Sequence, residues 1–193
     1  MISFPRSHEV EELREWPGTG SFSIPVIYFP PPKSRPEHNG LWLKLKAKIG
    51  KTWIGVFKLD EYRSPPAFSR VLSSPDTERV CVVSNGSAYI VNSEKPDMWE
   101  QLPIYPVLDV RPLVEQKLRV FADFNRLAAY GSGGLVWRSP RVCWDFLKIT
   151  NVTSDVIEGT AYDPANAETH ESRFAVDLTT GNTLLPLPAS MPE

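Results

Sequence analysis

The sequence contains only two cysteines and three histidines in 193 residues. Cys81 and Cys143 each lie within an apolar run, which is typical of buried, reduced thiols rather than of a disulfide framework. Metal sites favour His and Cys at short spacing, whereas His8, His38 and His170 lie far apart in different segments. We therefore expect no metal site, no cofactor and no obligatory disulfide.

The sequence motifs of common catalytic sites are also missing. The nucleophile elbow Gly-x-Ser-x-Gly and the dinucleotide fingerprint Gly-x-Gly-x-x-Gly do not occur. The glycine-rich stretch at residues 131–134 lacks the Lys-Ser/Thr pair of a phosphate-binding loop. These absences lead us to predict no catalytic residue, and they favour a non-enzymatic function.

The chain lacks a strong charge of either sign and lacks long hydrophobic runs. It has 21 Lys and Arg residues against 23 Asp and Glu residues, a net charge of −2, and so no basic field that would attract nucleic acid or a membrane. No stretch approaches the roughly 18 apolar residues that a membrane span needs. Residues 1–16 lack the apolar core of a secretion signal. The sequence thus predicts a cytoplasmic protein that binds neither nucleic acid nor membrane.

What the sequence does contain is a repeated pattern of short strands and turns. Hydrophobic residues make up 41% of the chain, enough for a real core, and 19 prolines fit short strands joined by stiff turns. We predict a mainly β fold, namely an antiparallel sandwich, a barrel or a partial propeller-like meander, with one or two short helices. We expect a single β domain over residues 1–193, with an N-terminal arm at 1–40 and a C-terminal tail at 186–193.

Particular segments carry the clearest local signals. Leu41–Ile49 alternates apolar residues with Trp and Lys, and residues 118–149 contain four short β runs that predict a meander. Asn85-Gly86 between two apolar runs predicts a tight hairpin, because both turn residues need a positive φ. The best helix candidate is His8–Trp16, whose acidic residues suit a helix N-terminus, followed by one helical turn at Arg111–Lys117.

Two stretches resemble a known family. Leu127–Tyr130 followed by Gly134–Trp137, and Phe174–Gly181, are similar to the blade repeats of quinoprotein-type propellers. In those blades a strand ends at an Asp-x-x-x-Gly turn, and a Trp lies on the next strand. The resemblance implies blade-like strands only, and it predicts neither a quinone cofactor nor a site residue.

One group of candidate binding residues lies on the strand at 41–49. Trp42, Lys44, Lys46 and Lys48 would share one face of that strand. This face is either a solvated surface whose lysines protect a sheet edge, or a strip that binds a small anion or nucleotide with Trp42 as a stacking platform. The sequence leaves both interpretations open.

A second group of candidates lies in the central meander, where Asp123, Trp137 and Asp145 are on or beside strands. Tryptophan rings stack on sugar faces, and carboxylates perform glycosidase chemistry when two of them flank a sugar. The same residues also have a structural interpretation, because Trp is a normal core residue and Asp at a strand end often accepts hydrogen bonds within a turn. We expect Asp145 to have the structural role.

The function that these patterns favour is a non-enzymatic binding or accessory module of bacterial type. Its expected partner is another protein, which would bind through an exposed β edge, and an oligomer is compatible with the pattern. The alternative is a carbohydrate-binding or carbohydrate-processing domain that uses Trp and Asp residues. A flat, apolar, exposed sheet edge would favour the first function, and a cleft lined by Trp and two carboxylates would favour the second.

Overall fold

A computed structural model describes residues 3–13, 23–33, 39–59 and 68–185 of the chain. Within these ranges there are fifteen β-strands and no helix, so the prediction of a mainly β fold is confirmed. The chain divides into two compact units, Met1–Tyr105 and Pro106–Glu193. No helix in the described ranges is long and apolar enough to cross a membrane.

The first unit contains two four-stranded sheets. In the first sheet the strand order is β1-β3-β4-β2, and β2 runs parallel to β4 while the other pairs are antiparallel. The second sheet, β5-β6-β7-β8, is an antiparallel meander. The strands are β1 (Glu9–Glu12), β2 (Val26–Phe29), β3 (Gly40–Lys46), β4 (Thr52–Lys58), β5 (Arg70–Ser73), β6 (Arg79–Ser84), β7 (Ser87–Asn92) and β8 (Trp99–Gln101).

The core of the first unit follows from the alternation of side chains along these strands. Leu43 and Leu45 on β3 are fully buried and belong to one apolar cluster with Val80 and Val82 on β6. Trp42 lies between the leucines in sequence, points to the opposite face and belongs to a second, smaller cluster. Both faces of the first sheet therefore carry apolar side chains.

The second unit contains a third and a fourth sheet. In the part of the chain that the structure describes, none of the four sheets closes into a barrel, so the barrel alternative is wrong. The third sheet is an antiparallel meander in the order β12-β11-β10-β9, and the fourth has the order β13-β14-β15. The strands are β9 (Asp109–Leu113), β10 (Leu118–Ala122), β11 (Leu127–Gly131), β12 (Gly134–Arg138), β13 (Asp145–Val152), β14 (Val156–Tyr162) and β15 (Glu171–Asp177).

Trp137 on β12 is hydrogen-bonded to the turn that follows β15. Its indole nitrogen donates a hydrogen bond to the carbonyl oxygen of Leu178 at 2.7 Å. Gly181 has a positive φ of 75°, and a Cβ atom there would lie only 2.6 Å from the indole ring. Glycine is therefore required at this turn both by the backbone conformation and by the close approach of the ring. The two stretches that resemble blade repeats thus contact each other.

Two edge strands contain β-bulges. On β12, Leu135 is opposite Tyr130 and Trp137 is opposite Ala129, so Val136 is an extra residue without a partner on β11. On β13, the register shifts between Asp145 and Lys148. A bulge changes the direction in which the following side chains point. The simple alternation predicted for residues 135–149 therefore does not hold.

Several local predictions are confirmed. Asn85 and Gly86 have positive φ angles of 45° and 91° and join β6 to β7, with Ser84 paired to Ser87. The strand predicted at Leu41–Ile49 is β3, Gly40–Lys46. Local chemistry decides these features, because an Asn-Gly turn and a strict alternation each favour one conformation.

The helix predictions are wrong within the described residues. Residues 9–12, inside the predicted helix His8–Trp16, form strand β1, whose Glu9 and Glu11 are paired in register with Lys46 and Lys44. Residues 14–16 of that prediction lie outside the described ranges. The predicted helical turn at Arg111–Lys117 is instead the second half of β9 and a turn. Both segments are short, and tertiary strand pairing outweighs weak helix propensity in short segments.

Strands β1 and β2 fall within the predicted N-terminal arm, residues 1–40. Both are paired within the first sheet. The predicted tail, residues 186–193, lies outside the described ranges.

Candidate functional site

The lysine strip predicted on β3 carries its own counter-charges. The ammonium group of Lys46 lies 3.0 Å from a carboxylate oxygen of Glu9, and that of Lys44 lies 3.8 Å from Glu11. Both glutamates are on β1, the neighbouring strand. Lys48 is exposed beyond the end of β3. An anion at this strip would compete with the two glutamates for Lys44 and Lys46.

Trp42 is buried, with 6% of its surface exposed. Its ring meets Tyr28 edge-to-face, with ring centroids 6.5 Å apart. Trp42 packs with Ile54 and Val56 in the smaller cluster of the first unit. The indole therefore contributes to the core in this structure, and stacking on a ligand would require it to move.

Asp123 closes the turn between β10 and β11. Its Oδ1 atom accepts hydrogen bonds from the backbone N–H groups of Asn125 at 2.9 Å and Arg126 at 2.7 Å. Burial raises the pKa of the Asp123 carboxyl, and these two hydrogen bonds partly oppose that rise. A side chain of this kind stabilises a turn by replacing backbone acceptors.

Asp145 begins β13 and is half-buried. Its Oδ1 atom accepts a hydrogen bond from the N–H of Phe146 at 2.9 Å, and Phe146 has a left-handed φ of 51°. The buried Cys143 thiol has its pKa raised to about 12, first by burial and next by the charge of Asp145, with Asp123 adding to the rise. The charges of both predicted carboxylates thus disfavour the same thiolate, while Trp137 donates a hydrogen bond to the turn after β15.

One exposed apolar surface of the second unit was not predicted from the sequence. Leu135 and Val136 are adjacent on β12, yet both are about half exposed, at 49% and 54%. The bulge at Val136 explains this, because the extra residue breaks the alternation that would otherwise bury one of the two. β12 is also the end strand of the third sheet.

A second surface feature lies along β8 in the first unit. A shallow depression of about 270 Å³ is lined by Trp99, two carboxylates, Arg79, Met98 and Ile90, the carboxylates being those of Asp97 and Glu100. The guanidinium group of Arg79 lies 3.2 Å from Asp76 and 3.9 Å from Glu100. The sequence signal for this depression is the run Asp97-Met98-Trp99-Glu100, in which two carboxylates and an indole lie within four consecutive residues.

No protein-family model and no curated protein matches the chain. In the described residues, no group of three or more His, Cys, Asp or Glu side chains is placed to hold a metal ion.

Proposed function

We propose that the protein is a non-enzymatic binding module whose partner is an extended segment of another protein, bound along β12. The supporting observation is an end strand that carries two adjacent, half-exposed apolar side chains, Leu135 and Val136. Exposed apolar residues are common when they are scattered singly. Adjacent ones on an unpaired strand edge form a surface that an added strand covers.

The backbone of β12 offers hydrogen bonds to such a segment. The N–H of Ser139 donates to the carbonyl oxygen of Leu127 on β11 at 2.8 Å. Successive residues of an antiparallel strand point their backbone groups in opposite directions, so the N–H and C=O of Arg138 point away from β11. Unpaired edge groups of this kind are a template for strand addition.

The side chains set the strength and the register of binding. Covering the exposed halves of Leu135 and Val136 contributes about 1 kcal/mol each, since full burial of such side chains contributes about 1.5–3 kcal/mol. The bulge at Val136 keeps the paired stretch short, because bulges interrupt the ladder. Specificity therefore depends on apolar side chains of the partner that fit Leu135 and Val136.

Site-specific photo-crosslinking in the source cells tests this proposal. A photoreactive residue at position 135 or 136 should give the same protein adduct. The matched control is position 184, because Leu184 is 51% exposed in the same unit but lies outside the named strands. No adduct at 135 and 136, or the same adduct at all three positions, contradicts the proposal.

A charged variant gives a second readout. Val136→Lys should abolish the adduct formed from position 135, because burial of the ammonium group opposes binding. Leu184→Lys should leave that adduct unchanged. Both variants should melt at the wild-type temperature, since both side chains are exposed.

Carbohydrate binding is the second candidate function, and the depression beside β8 favours it. The lining includes Trp99 together with the carboxylates of Asp97 and Glu100. An indole surface and hydrogen-bonding carboxylates are the groups that bind the apolar face and the hydroxyls of a sugar. We expect Asp97→Asn to weaken binding of an oligosaccharide panel in calorimetry, with Asp155→Asn as the exposed control. A panel that gives no binding heat contradicts this candidate.

A further inference from the structure

The outer face of the fourth sheet carries its charges in two separate rows. Strand register places Asp145, Tyr162 and Glu171 side by side on β13, β14 and β15. The next row on the same face, two positions along β14, consists of Lys148, Thr160 and Arg173. One row therefore has two carboxylates around a tyrosine, and the other has two cations around a threonine.

This face is the solvent side of the sheet. The alternate residues of the three strands, including Leu147, Ile157, Ala161 and Phe174, are buried in the core of the second unit. Lys148, Glu171 and Arg173 are exposed, Tyr162 is 45% exposed, and Asp145 is half-buried. The charges of Lys148, Glu171 and Arg173 are therefore available to a partner, and the carboxylate of Asp145 is partly accessible.

The charges of the two rows are not used within the described part of the chain. No ion pair there joins Lys148 or Arg173 to Asp145 or Glu171. Asp145 accepts one hydrogen bond, from the backbone of Phe146. The four charges of the two rows sum to zero, and exposed Glu158, two positions from Thr160 on the same face of β14, adds a negative charge, so the face has no basic field that would attract a nucleic acid.

We propose that this face associates with the same face of a second copy of the chain. A two-fold axis that lies between the rows and runs across the strands superimposes the acidic row of one copy on the basic row of the other. Asp145 then faces Lys148 of the second copy, and Glu171 faces its Arg173. Each contact occurs twice, as two-fold symmetry requires of a self-complementary surface.

The arrangement selects one orientation of the two copies. A two-fold axis that runs along the strands would place carboxylate on carboxylate and cation on cation. The two carboxylates of one row lie about 10 Å apart, because they are separated by two strand spacings of about 4.8 Å. The two cations of the other row have the same spacing, so all four ion pairs form together in the first orientation. Like charges placed together disfavour the second orientation.

The association is weak and sensitive to salt. A three-stranded face is small beside the roughly 800 Å² per partner of a standard stable interface. Exposed ion pairs are screened as the Debye length falls from about 10 Å at 0.1 M salt to about 3 Å at 1 M. We expect sedimentation equilibrium at high protein concentration to detect a dimer at 0.1 M salt and a monomer at 1 M.

A charge exchange provides the decisive test. Glu171→Arg alone places two guanidinium groups opposite each other across the axis, and Arg173→Glu alone places two carboxylates opposite each other, so each single change should abolish the dimer. The double variant Glu171→Arg/Arg173→Glu restores opposite charges across the axis and should restore the dimer. Glu115→Arg, at an exposed position in the turn between β9 and β10, is the matched control and should dimerise like the wild type.

Each result either supports the proposal or overturns it. A wild type that remains monomeric at 0.1 M salt overturns it, and so does a double variant that stays monomeric. Dimerisation that survives both single reversals also overturns it, because the interface then lies elsewhere. Leu135→Lys should dimerise normally, which separates this proposal from partner binding at β12.

Discussion

Trp137 and Trp144 show how burial decides the cost of losing an aromatic ring. Trp137 is 6% exposed, packs in the core of the second unit and donates to Leu178, whereas Trp144 is half-buried and lies under the guanidinium group of Arg141. We expect Trp137→Ala to lower the free energy of unfolding by about 3–5 kcal/mol. Trp144→Ala should cost less, since an exposed cation–π contact contributes about 0.5–1 kcal/mol. Urea denaturation of both variants gives the comparison, and equal losses would contradict it.

Asp123 can be tested by separating its hydrogen bonds from its charge. Asp123→Ala leaves the N–H groups of Asn125 and Arg126 without their acceptor, which should cost about 1–3 kcal/mol. Asp123→Asn keeps an acceptor oxygen and removes the buried charge, so the free energy of unfolding should stay within about 1 kcal/mol of wild type. If both variants lose the same free energy, the charge matters more than the hydrogen bonds.

The pH dependence of this pair follows from the raised pKa of Asp123. Its pKa in the folded protein is above that in the unfolded chain, so the folded state holds the proton more tightly, and the corresponding stability is lost as the pH rises through the raised pKa. The free energy of unfolding of wild type relative to Asp123→Asn should therefore increase on going from neutral pH to about pH 4. A difference that is flat over this range contradicts the assignment.

At the residue scale, the sequence predicts which apolar segments are buried better than it predicts the face to which a given side chain points. Apolar context placed Cys81 and Cys143 inside the protein, and both are buried, free cysteines. It did not predict that Leu135 and Val136 would both be exposed, because that depends on one extra residue in β12 opposite β11. A bulge follows from the pairing of two strands, so no single segment contains the signal.

Strand β1 is held in place by a buried histidine beside its first residue. His8 is 7% exposed, and its Nδ1 atom lies 3.2 Å from the carbonyl oxygen of Thr77. Burial lowers its pKa from the ordinary value of 6.5, and the charge of Arg6 lowers it further, while the Thr77 contact and the charge of Glu94 oppose the shift. The folded state therefore favours the neutral ring.

The sign of the pH effect follows. A folded pKa below the unfolded one gives stability that is complete above pH 6.5 and is lost as the pH falls toward the folded pKa. We expect the melting temperature of the wild type to fall between neutral pH and about pH 5 by more than that of His8→Gln, which cannot be protonated there. Equal slopes for the two proteins contradict this role of His8.

The helix predicted at His8–Trp16 is wrong because local sequence contains no information about distant strand partners. The glutamates near His8 looked like the acidic first turn of a helix. In the structure Glu9 and Glu11 lie opposite Lys46 and Lys44, with which they form ion pairs. The pairing partner is more than thirty residues away, so local propensity contained no signal for it.

At the scale of the whole molecule, we expect both thiols to react with a thiol reagent only after the protein unfolds. Cys81 and Cys143 are buried, and the Cys143 thiolate is further disfavoured by a pKa of about 12. The thiolate is the reactive form, so a thiol reagent at mildly alkaline pH should detect almost no sulfur in the native protein and two thiols in denaturant. The same titration across a urea series should follow the circular dichroism transition. Early reaction of one thiol would indicate that the chain does not unfold as one unit.

At the scale of the molecule, the sequence predicted the class of fold but not its arrangement. Alternation and turn residues identify strands and hairpins, and these signals are local. They allowed a barrel, a sandwich or a meander, because sheet closure depends on which strands remain unpaired at the ends. The parallel pairing of β2 with β4 is similarly invisible in the sequence, since more than twenty residues separate the two strands.

The strand order of the first sheet has a consequence for how the chain acquires its structure. β3 and β4 form a hairpin with a short turn, but β1 and β2 pair with that hairpin from much earlier in the sequence. Both segments are synthesised before the strands that they pair with exist. Long-range pairing is slow because loop closure precedes the contacts that stabilise it. We therefore expect the hairpin to form first, and the segments around Val10 and Ile27 to pair only after residues 40–58 have been synthesised.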